Sequence, residues 1–207
     1  MSAIYRQLGK RLFDMVLVSL TAPVWLPIVA AVAVIVRTKI GTPVLFRQVR
    51  PGRDGRLFTL LKFRTMTDAR DEHGVLRPDH MRLTLWGRIL RECSLDELPE
   101  LWNVLRGEMS LVGPRPLLVA YLDRYTAEQS RRHEVRPGLT GLAQVNGRNA
   151  LGWDDRFALD VRYVDTCSFG LDIRILLKTI SNVLLRRGIS QPGHATAQEF
   201  TGSTRLS

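Results

Sequence analysis

Two adjacent carboxylates, Asp96 and Glu97, stand in the segment Ser-Leu-Asp-Glu-Leu-Pro at positions 94–99 of a basic chain. A carboxylate can attack phosphorus and form an acyl phosphate, provided that a cation screens the repulsion between the two anions. A second carboxylate is a suitable ligand for Mg²⁺, which usually takes one or two protein carboxylates together with substrate phosphates. The pair therefore indicates phosphate chemistry.

The same pair also has a purely structural interpretation. Ser94 and Glu97 have the spacing of a capping box, in which each side chain bonds a free backbone amide of the first helical turn. Acidic residues in a first turn also favour the helix dipole. Pro99 lies just past that turn, where it would remove a helical hydrogen bond and could separate the two carboxylates. The sequence alone leaves these alternatives open.

Basic residues surround the pair. Arg88 and Arg91 precede it, and Arg106 and the turn Gly-Pro-Arg-Pro at 113–116, which contains Arg115, follow it. Guanidinium groups and free helix amides bind phosphate oxygens. The two prolines favour a rigid turn, as suits a binding site, although an ordinary ion-paired surface arginine would give the same sequence. The sequence therefore predicts a phosphate-binding region around the carboxylates.

An uncharged apolar run of 22 residues occupies positions 15–36. As one helix it would extend about 33 Å, which just covers a hydrocarbon core of roughly 30 Å. Pro23 and Pro27 lie near its middle and favour a bend. Basic residues flank both ends, namely Arg6, Lys10 and Arg11 before it and Arg37, Lys39, Arg47, Arg50 and Arg53 after it.

Positive charge at both ends places both ends in the cytoplasm. The sequence therefore predicts a kinked re-entrant helix that is broken at Pro23 and Pro27. A plain spanning helix and a cleaved signal peptide are the alternatives.

The remaining chain predicts a mixed domain. Short β-prone runs at 42–46 and 57–63 are separated by a turn-rich segment and suggest a hairpin or two extended segments. Residues 67–82 are polar and predict a surface loop. Helical patterns cover 83–92, 95–105, 117–133, 153–164 and 171–185. The tail 191–207 is predicted to be loosely ordered unless it docks.

Composition limits the class of partner. The formal net charge is +10, which attracts anionic lipids, phosphorylated small molecules or nucleic acid. Aromatic residues are only 7% of the chain and no nucleic-acid motif is present, so no nucleic-acid partner is expected, although a tethered basic module that binds nucleic acid is one alternative function. Cys93 and Cys167 are far apart and indicate reduced thiols rather than disulfides.

Several long blocks resemble the bacterial sugar transferases and, more narrowly, the small monotopic phosphoglycosyl transferases of the PglC type. The blocks are Lys-Phe-Arg-Thr-Met at 62–66, the segment 94–99, residues 109–116 and residues 136–148, within a likeness that runs from about Lys10 to Phe200. The resemblance implies transfer of a sugar phosphate from a UDP-sugar to a polyprenyl phosphate, namely undecaprenyl phosphate, with release of UMP.

The resemblance also implies roles for individual residues. Asp96 would form an aspartyl phosphosugar intermediate, and Glu97 would hold Mg²⁺ as the second catalytic residue. Further residues would line the site and bind substrate: Lys62, Arg64, Arg91, Arg115, Arg148 and Asp172. Without the resemblance, Lys62 would be interpreted as an ordinary surface lysine and Asp172 as a helix-start acid.

The chain departs from the family in its anchor. The family helix breaks at a Ser-Pro pair, whereas this chain has Leu26 before Pro27, and Leu26 cannot offer a hydroxyl to the backbone groups freed at the break. Pro23 is therefore a candidate second bending point. The tail segment 191–202 is similar to the bacillosamine-type members and suggests an N-acetylated deoxysugar donor such as UDP-diacetylbacillosamine.

We therefore expect an α/β fold, mostly helical with a small sheet, in a monotopic membrane protein with interfacial amphipathic helices. The expected units are the membrane-entering helix at 1–40, a cytosolic catalytic domain at 41–190 and a tail at 191–207. The expected location is the cytoplasmic face of the bacterial inner membrane, with both termini cytoplasmic. Membrane lipids and downstream glycosyltransferases are expected partners, and a non-catalytic scaffold of a glycan assembly complex is the other alternative function.

Overall fold

The computed structural model of the protein describes residues 5–147, 151–185 and 199–202. The α-helices are α1 (Lys10–Leu20), α2 (Ala22–Lys39), α3 (Asp79–Arg82), α4 (Leu85–Glu92), α5 (Glu100–Arg106), α6 (Ala127–Ser130), α7 (Leu142–Val145), α8 (Trp153–Thr166) and α9 (Phe169–Leu184). The strands are β1 (Leu45–Pro51), β2 (Leu57–Phe63), β3 (Ser110–Val112) and β4 (Gly138–Thr140). The predicted mostly helical domain with little sheet and an apolar N-terminal helix is confirmed.

The apolar N-terminal segment divides at Thr21, between α1 and α2. There the Thr21 hydroxyl donates to the carbonyl of Leu17 at 2.7 Å, and Trp25 Nε1 donates to the carbonyl of Val18 at 2.9 Å. The Leu17 carbonyl also accepts from the backbone nitrogen of Thr21 at 3.1 Å, so the Thr21 hydroxyl adds a second bond to it, whereas the Trp25 ring gives the Val18 carbonyl a side-chain donor at the division.

The two prolines take different places relative to this division. Pro23 lies in the first turn of α2, where its missing N–H costs least, and Pro27 lies inside α2, which continues through it. In the described part of the chain, α2 is the one helix whose length and composition suffice to cross a membrane. Only Val32 and Val36 of its 18 residues are buried against the rest of the protein. This exposed apolar helix supports the expectation that the protein associates with a membrane.

Strands β1 and β2 form a hairpin, which is one of the two expected alternatives, although β1 covers Leu45–Pro51 and not the expected run 42–46. They pair antiparallel from Leu45 with Phe63 to Pro51 with Leu57. Asn103 of α5 holds β2 from the side, because its Nδ2 donates to the Thr59 carbonyl at 2.8 Å and its Oδ1 accepts from Leu61 N at 3.1 Å. The hairpin therefore places Lys62 against the start of α5.

Strands β3 and β4 form a separate parallel pair whose backbones approach closely. Ser110 pairs with Gly138 and Val112 with Thr140. A Cβ added at Gly138 would lie 2.1 Å from the backbone nitrogen of Gly113, so only glycine fits there. This contact fixes the start of the turn 113–116.

Two of the predicted helices are divided. The pattern over 117–133 becomes the 3₁₀ turns Val119–Arg124 and Arg131–Glu134 on either side of α6. The single helix predicted there is wrong because Thr126 forms a capping box with Gln129 and so starts a new helix. The pattern over 95–105 becomes the 3₁₀ turn Leu95–Glu97 followed by α5, with Pro99 directly before α5.

An aromatic cluster joins the chain end to the domain. Phe200 is 2% exposed and packs on Tyr121, Phe157 and Trp153. The docking that the sequence analysis allowed for the tail is therefore seen at this residue. The tail segments 191–198 and 203–207 lie outside the described residues.

Candidate active site

The carboxylate pair lies in a tight turn between α4 and α5. Ser94, which precedes the turn, has a left-handed backbone with φ of 54° and makes no side-chain cap. The capping-box alternative is therefore wrong, because the Glu97 side chain bonds basic residues of other elements instead of the Ser94 amide. The turn directs the two adjacent carboxylates into different surroundings.

Glu97 is held by two cations. Its Oε1 accepts from Lys62 Nζ at 2.6 Å and from Arg115 Nη2 at 2.5 Å. Burial alone would raise the pKa of Glu97, but the positive charges of Arg115 and Lys62 outweigh burial and hold this pKa well below its usual range. Glu97 is thus a fixed anion that organises one side chain from β2 and one from the turn 113–116.

Asp96 has the opposite character. Its side chain is buried, and among the described residues no donor is bonded to its carboxylate. Burial, helped by the negative charge of Glu97, raises the pKa of Asp96 to about 6, while Lys62, Arg91 and Arg115 act against the shift. At neutral pH Asp96 is an ionised and unusually basic carboxylate, as a nucleophile requires.

Glu100 is a third acid at this place, and sequence reasoning missed it. It is 2% exposed, and its Oε1 lies 3.1 Å from Lys62 Nζ. Burial raises the pKa of Glu100 to about 7, although the charge of Lys62 opposes this. Its spacing of three residues from Glu97 was the available signal, since such residues share one side of a helix.

These groups face a cleft of about 1490 Å³. Most of the predicted site residues line it, namely Lys62, Arg64, Arg91, Asp96, Glu97 and Arg115. Five further arginines also line it, Arg47, Arg50, Arg82, Arg132 and Arg156. No local sequence signal marked these five as cleft residues, because they come from distant segments that only the fold brings together. The cleft thus combines a carboxylate pair with many guanidinium groups, as a diphosphate substrate would need.

A family model described as bacterial sugar transferase matches residues 5–186 of this chain. The chain belongs to the bacterial sugar transferase family. The predicted family is confirmed, and so is the predicted enzyme class, a phosphoglycosyl transferase.

Relatives of the transferase include short and long proteins. The Bacillus subtilis (strain 168) protein named "Uncharacterized sugar transferase EpsL" is 56% identical over 203 residues, which cover 96% of this chain and 98% of that protein. UDP-glucose:undecaprenyl-phosphate glucose-1-phosphate transferase of Caulobacter vibrioides is 43% identical over 189 residues, 86% of this chain and 70% of that protein. UDP-N-acetylgalactosamine-undecaprenyl-phosphate N-acetylgalactosaminephosphotransferase of Aeromonas hydrophila is 37% identical over 183 residues, 84% of this chain and 43% of that protein.

Two of the arginines in the transferase cleft are held by neighbouring groups. Arg64 donates from Nε to the Met66 carbonyl at 2.7 Å, bonds the Thr42 carbonyl and pairs with Asp68. Arg91 donates from Nε to Thr65 Oγ1 at 3.0 Å. These contacts fix the direction of each guanidinium along the wall of the cleft.

The structure does not bring Asp172 together with the carboxylate pair. Asp172 is fully buried at the start of α9 and is absent from the described cleft lining. It accepts hydrogen bonds from Tyr5 at 2.6 Å, Lys10 at 2.5 Å and Tyr163 at 2.7 Å. In this transferase it therefore joins the N-terminal segment to the domain. Arg148, the remaining predicted residue, lies outside the described residues.

The carboxylate pair is chemically suited to Mg²⁺. Within the described part of the chain no group of three or more His, Cys, Asp or Glu side chains is arranged to hold a metal ion. Mg²⁺ needs fewer protein ligands than that, because it usually takes one or two carboxylates and completes its shell with substrate phosphates and water. Asp96 and Glu97, which both line the open cleft, meet this requirement.

Proposed function

We propose that this transferase moves a sugar 1-phosphate from a UDP-sugar to undecaprenyl phosphate and so produces an undecaprenyl-diphospho-sugar and UMP. The observation that carries the proposal is the buried, basic Asp96 carboxylate beside the cluster of Glu97, Lys62 and Arg115. The names of the Caulobacter and Aeromonas relatives, which describe transfer of a sugar phosphate to undecaprenyl phosphate, support it.

In the first half-reaction Asp96 is the nucleophile. One of its carboxylate oxygens bonds to the phosphorus that bears the sugar, and the bond from that phosphorus to the bridging oxygen of the diphosphate breaks. UMP leaves with the bond's electron pair, and an aspartyl phosphosugar remains on the enzyme. Lys62 and Arg115, together with the other arginines that line the cleft, can stabilise the charge that develops on the diphosphate.

In the second half-reaction the acceptor phosphate attacks the same phosphorus. The bond between phosphorus and the Asp96 oxygen breaks, the carboxylate is restored, and the lipid diphosphosugar forms. Because UMP leaves before the acceptor phosphate reacts, we expect ping-pong kinetics.

We propose Glu97 as the protein ligand of Mg²⁺, with Asp96 beside it. Bound Mg²⁺ would offset the negative charge of the diphosphate and of the nucleophile that approaches it. The side chains of Lys62 and Arg115 would then orient Glu97 through the hydrogen bonds described above.

The proposed location is the bacterial inner membrane, with the cleft and both termini on the cytoplasmic side. Helix α2 supplies the apolar segment, and basic residues on both flanks favour a re-entrant rather than a spanning course. Membrane lipids would surround α2, and downstream glycosyltransferases would extend the lipid-linked sugar.

The donor sugar is a separate proposal. The tail resemblance favours an N-acetylated deoxysugar such as the one in UDP-diacetylbacillosamine, although residues 191–198 that carry most of it lie outside the described residues. The relatives are named for glucose and N-acetylgalactosamine donors. A donor panel therefore has to include all three sugars.

The test is UMP release from that panel with undecaprenyl phosphate, with and without Mg²⁺, on detergent-solubilised protein. We expect Mg²⁺-dependent release by the wild type and by Asp155→Asn, an exposed control position, and no release by Asp96→Asn. Wild-type turnover by Asp96→Asn would refute the nucleophile. Absence of release from every donor would favour the scaffold alternative, and a salt-sensitive shift of nucleic acid without UMP release would favour the nucleic-acid alternative.

A further inference from the structure

A second cavity, of about 790 Å³, lies between the membrane helix α2 and the catalytic domain, and we call it the groove. One wall belongs to α2 and the other to β1, β2, α5 and the residues just before β1 and α5. The lining is mostly apolar: Trp25, Leu26, Val29, Ala33, Val44, Leu45, Leu61, Phe63, Leu98, Pro99 and Trp102, with Arg47, Thr59 and Arg106.

The groove adjoins the catalytic cleft. Several residues line both cavities, namely Val44, Leu45, Arg47, Phe63 and Leu98. Leu98 is only two residues from Asp96 along the chain. An elongated molecule in the groove would therefore end close to the carboxylate pair.

Arg47 supplies a charge where the two cavities meet. It is exposed, and the described residues show no hydrogen bond or ion pair to its guanidinium. Arg106 also lines the groove, but it lies over the Trp102 ring at 5.7 Å. An apolar groove with an uncommitted guanidinium at its cleft end complements an amphiphile with a hydrocarbon tail and a phosphate head.

We propose that the groove holds the isoprene units next to the phosphate of the lipid acceptor, with Arg47 contacting that phosphate. This inference rests on the proposed function, since it assigns the acceptor subsite of the same reaction. Because α2 forms one wall, the lipid reaches the groove directly from the bilayer. Other occupants, such as a phospholipid acyl chain or a second copy of the protein, are outcomes that the test distinguishes.

The groove acts mainly by positioning. The bilayer interior is as apolar as the groove, so moving a hydrocarbon chain between them changes its free energy little. Holding the acceptor phosphate at the correct place relative to the phosphorylated Asp96 changes the rate strongly. The groove should therefore matter for the second half-reaction and not for the first.

Neighbouring residues of α2 provide the test and its control. Ala33 lines the groove, whereas Val34 is 62% exposed and is not among the groove residues. We expect Ala33→Trp to fill the groove and lower kcat/KM for undecaprenyl phosphate by about tenfold or more, as misplaced reacting groups do. UMP release in a single turnover without acceptor should stay at the wild-type rate, which also shows that the variant is folded. Val34→Trp should match the wild type in both steps.

A binding measurement makes the inference independent of turnover. A photoreactive phenylalanine derivative is placed at position 33 or 34, and the protein is irradiated in phospholipid nanodiscs that contain undecaprenyl phosphate but no donor. Capture of undecaprenyl phosphate at position 33 in preference to position 34 is the expected result.

Three results would refute the proposal that the groove binds the lipid acceptor. They are unchanged acceptor kinetics in Ala33→Trp, equal losses in both tryptophan variants, and capture at position 33 of phospholipid or of a second protein copy only. A wild type that releases no UMP from any donor would instead refute the proposed function, and the photocapture would still decide whether the groove binds the lipid phosphate.

Discussion

Asp96 and Glu97 are neighbours in the chain, yet their surroundings move their pKa values in opposite directions. Glu97 meets Lys62 and Arg115 directly and stays an anion. Asp96 is buried beside that anion and becomes more basic. Two carboxylates whose pKa values are separated in this way can take different parts in one reaction.

The raised pKa of Asp96 predicts an acid limb in the first half-reaction. Only the ionised carboxylate attacks phosphorus, so the single-turnover rate of UMP release should fall as the pH drops through about 6, the pKa of Asp96. The measurement is that rate from pH 4.5 to 8 without acceptor. A rate that stays constant down to the usual aspartate range near pH 4 would contradict the assignment.

Glu100 predicts a pH-dependent gain in stability on substitution. The pKa of Glu100 is about 7 in the folded protein and 4.5 in the unfolded chain, so folding favours the protonated carboxyl. The stability of the folded state is therefore highest below about pH 4.5 with respect to this group, and it falls as the pH rises toward 7. Glu100→Gln should therefore differ little from the wild type at pH 5 and gain up to about 3 kcal/mol at pH 8.

The gain is measured as thermal unfolding in detergent at the two pH values, with the exposed Glu72→Gln as control. Turnover should persist, because Lys62 keeps its bond to Glu97. A variant less stable than the wild type at pH 8 would show that the charge of Glu100 is needed to hold Lys62.

At this scale the sequence predicted the chemistry better than the geometry. The resemblance of blocks 62–66, 94–99 and 109–116 identified Asp96, Glu97, Lys62 and Arg115, which the structure brings to one cleft. The sequence could not predict that Glu97 leaves the helix cap, because that depends on cations from two distant segments.

Among the elements, the β3–β4 pair decides where Arg115 lies. Gly138 packs its backbone on that of Gly113, at the start of the turn that contains Arg115. Gly138→Ala forces these backbones apart and should cost about 1–3 kcal/mol or more, with a loss of turnover.

Gly170→Ala is the matched control for that change. Gly170 lies in the first turn of α9, and nothing comes within 4 Å of a Cβ added there. This variant should be neutral or gain up to about 1 kcal/mol. Thermal unfolding and UMP release are measured on both. An active and stable Gly138→Ala protein would show that the turn does not depend on the backbone contact.

The sequence predicted elements well where local signals act alone. Strand β2 matches the β-prone run 57–63, and α8 and α9 match their helical patterns, whereas β1 begins three residues after the expected run 42–46 does and extends to Pro51. The sequence-based prediction of one helix over 117–133 failed because Thr126 caps a new helix within that range. The helix divides at Thr21, where Trp25 donates to the Val18 carbonyl, and α2 continues through Pro27; a pattern of prolines does not contain the Trp25 contact.

For the whole molecule, α1 is bound firmly to the catalytic domain. Lys10 pairs with the buried Asp172, Arg11 donates to the Leu105 carbonyl at 2.7 Å, and Asp14 accepts from Leu111 N at 3.2 Å. These contacts fix the membrane segment relative to the cleft. A lipid that enters along α2 would therefore meet the site in one defined orientation.

The Lys10–Asp172 pair gives a prediction at this scale. Asp172→Asn removes the carboxylate that bonds the buried Lys10 ammonium and leaves Asp14 as the remaining carboxylate near that charge, so it should cost about 1–3 kcal/mol or more. The KM for the UDP-sugar should not change, since Asp172 does not line the described cleft. Thermal unfolding and donor kinetics are measured beside the exposed Asp155→Asn. A stable Asp172→Asn protein with a raised donor KM would place Asp172 in the substrate site, as the family resemblance implies.

Asp96 is proposed to carry the phosphosugar from the donor to the acceptor. The most direct measurement uses a UDP-sugar labelled in the sugar-bearing phosphate, mixed with the enzyme and Mg²⁺ without acceptor, followed by rapid quenching and peptide mass analysis. We expect one phosphosugar per enzyme on the peptide that contains Asp96, none in Asp96→Asn, and loss of the label when undecaprenyl phosphate is added. A labelled peptide elsewhere, or turnover without any labelled protein, would show that Asp96 does not carry the phosphosugar.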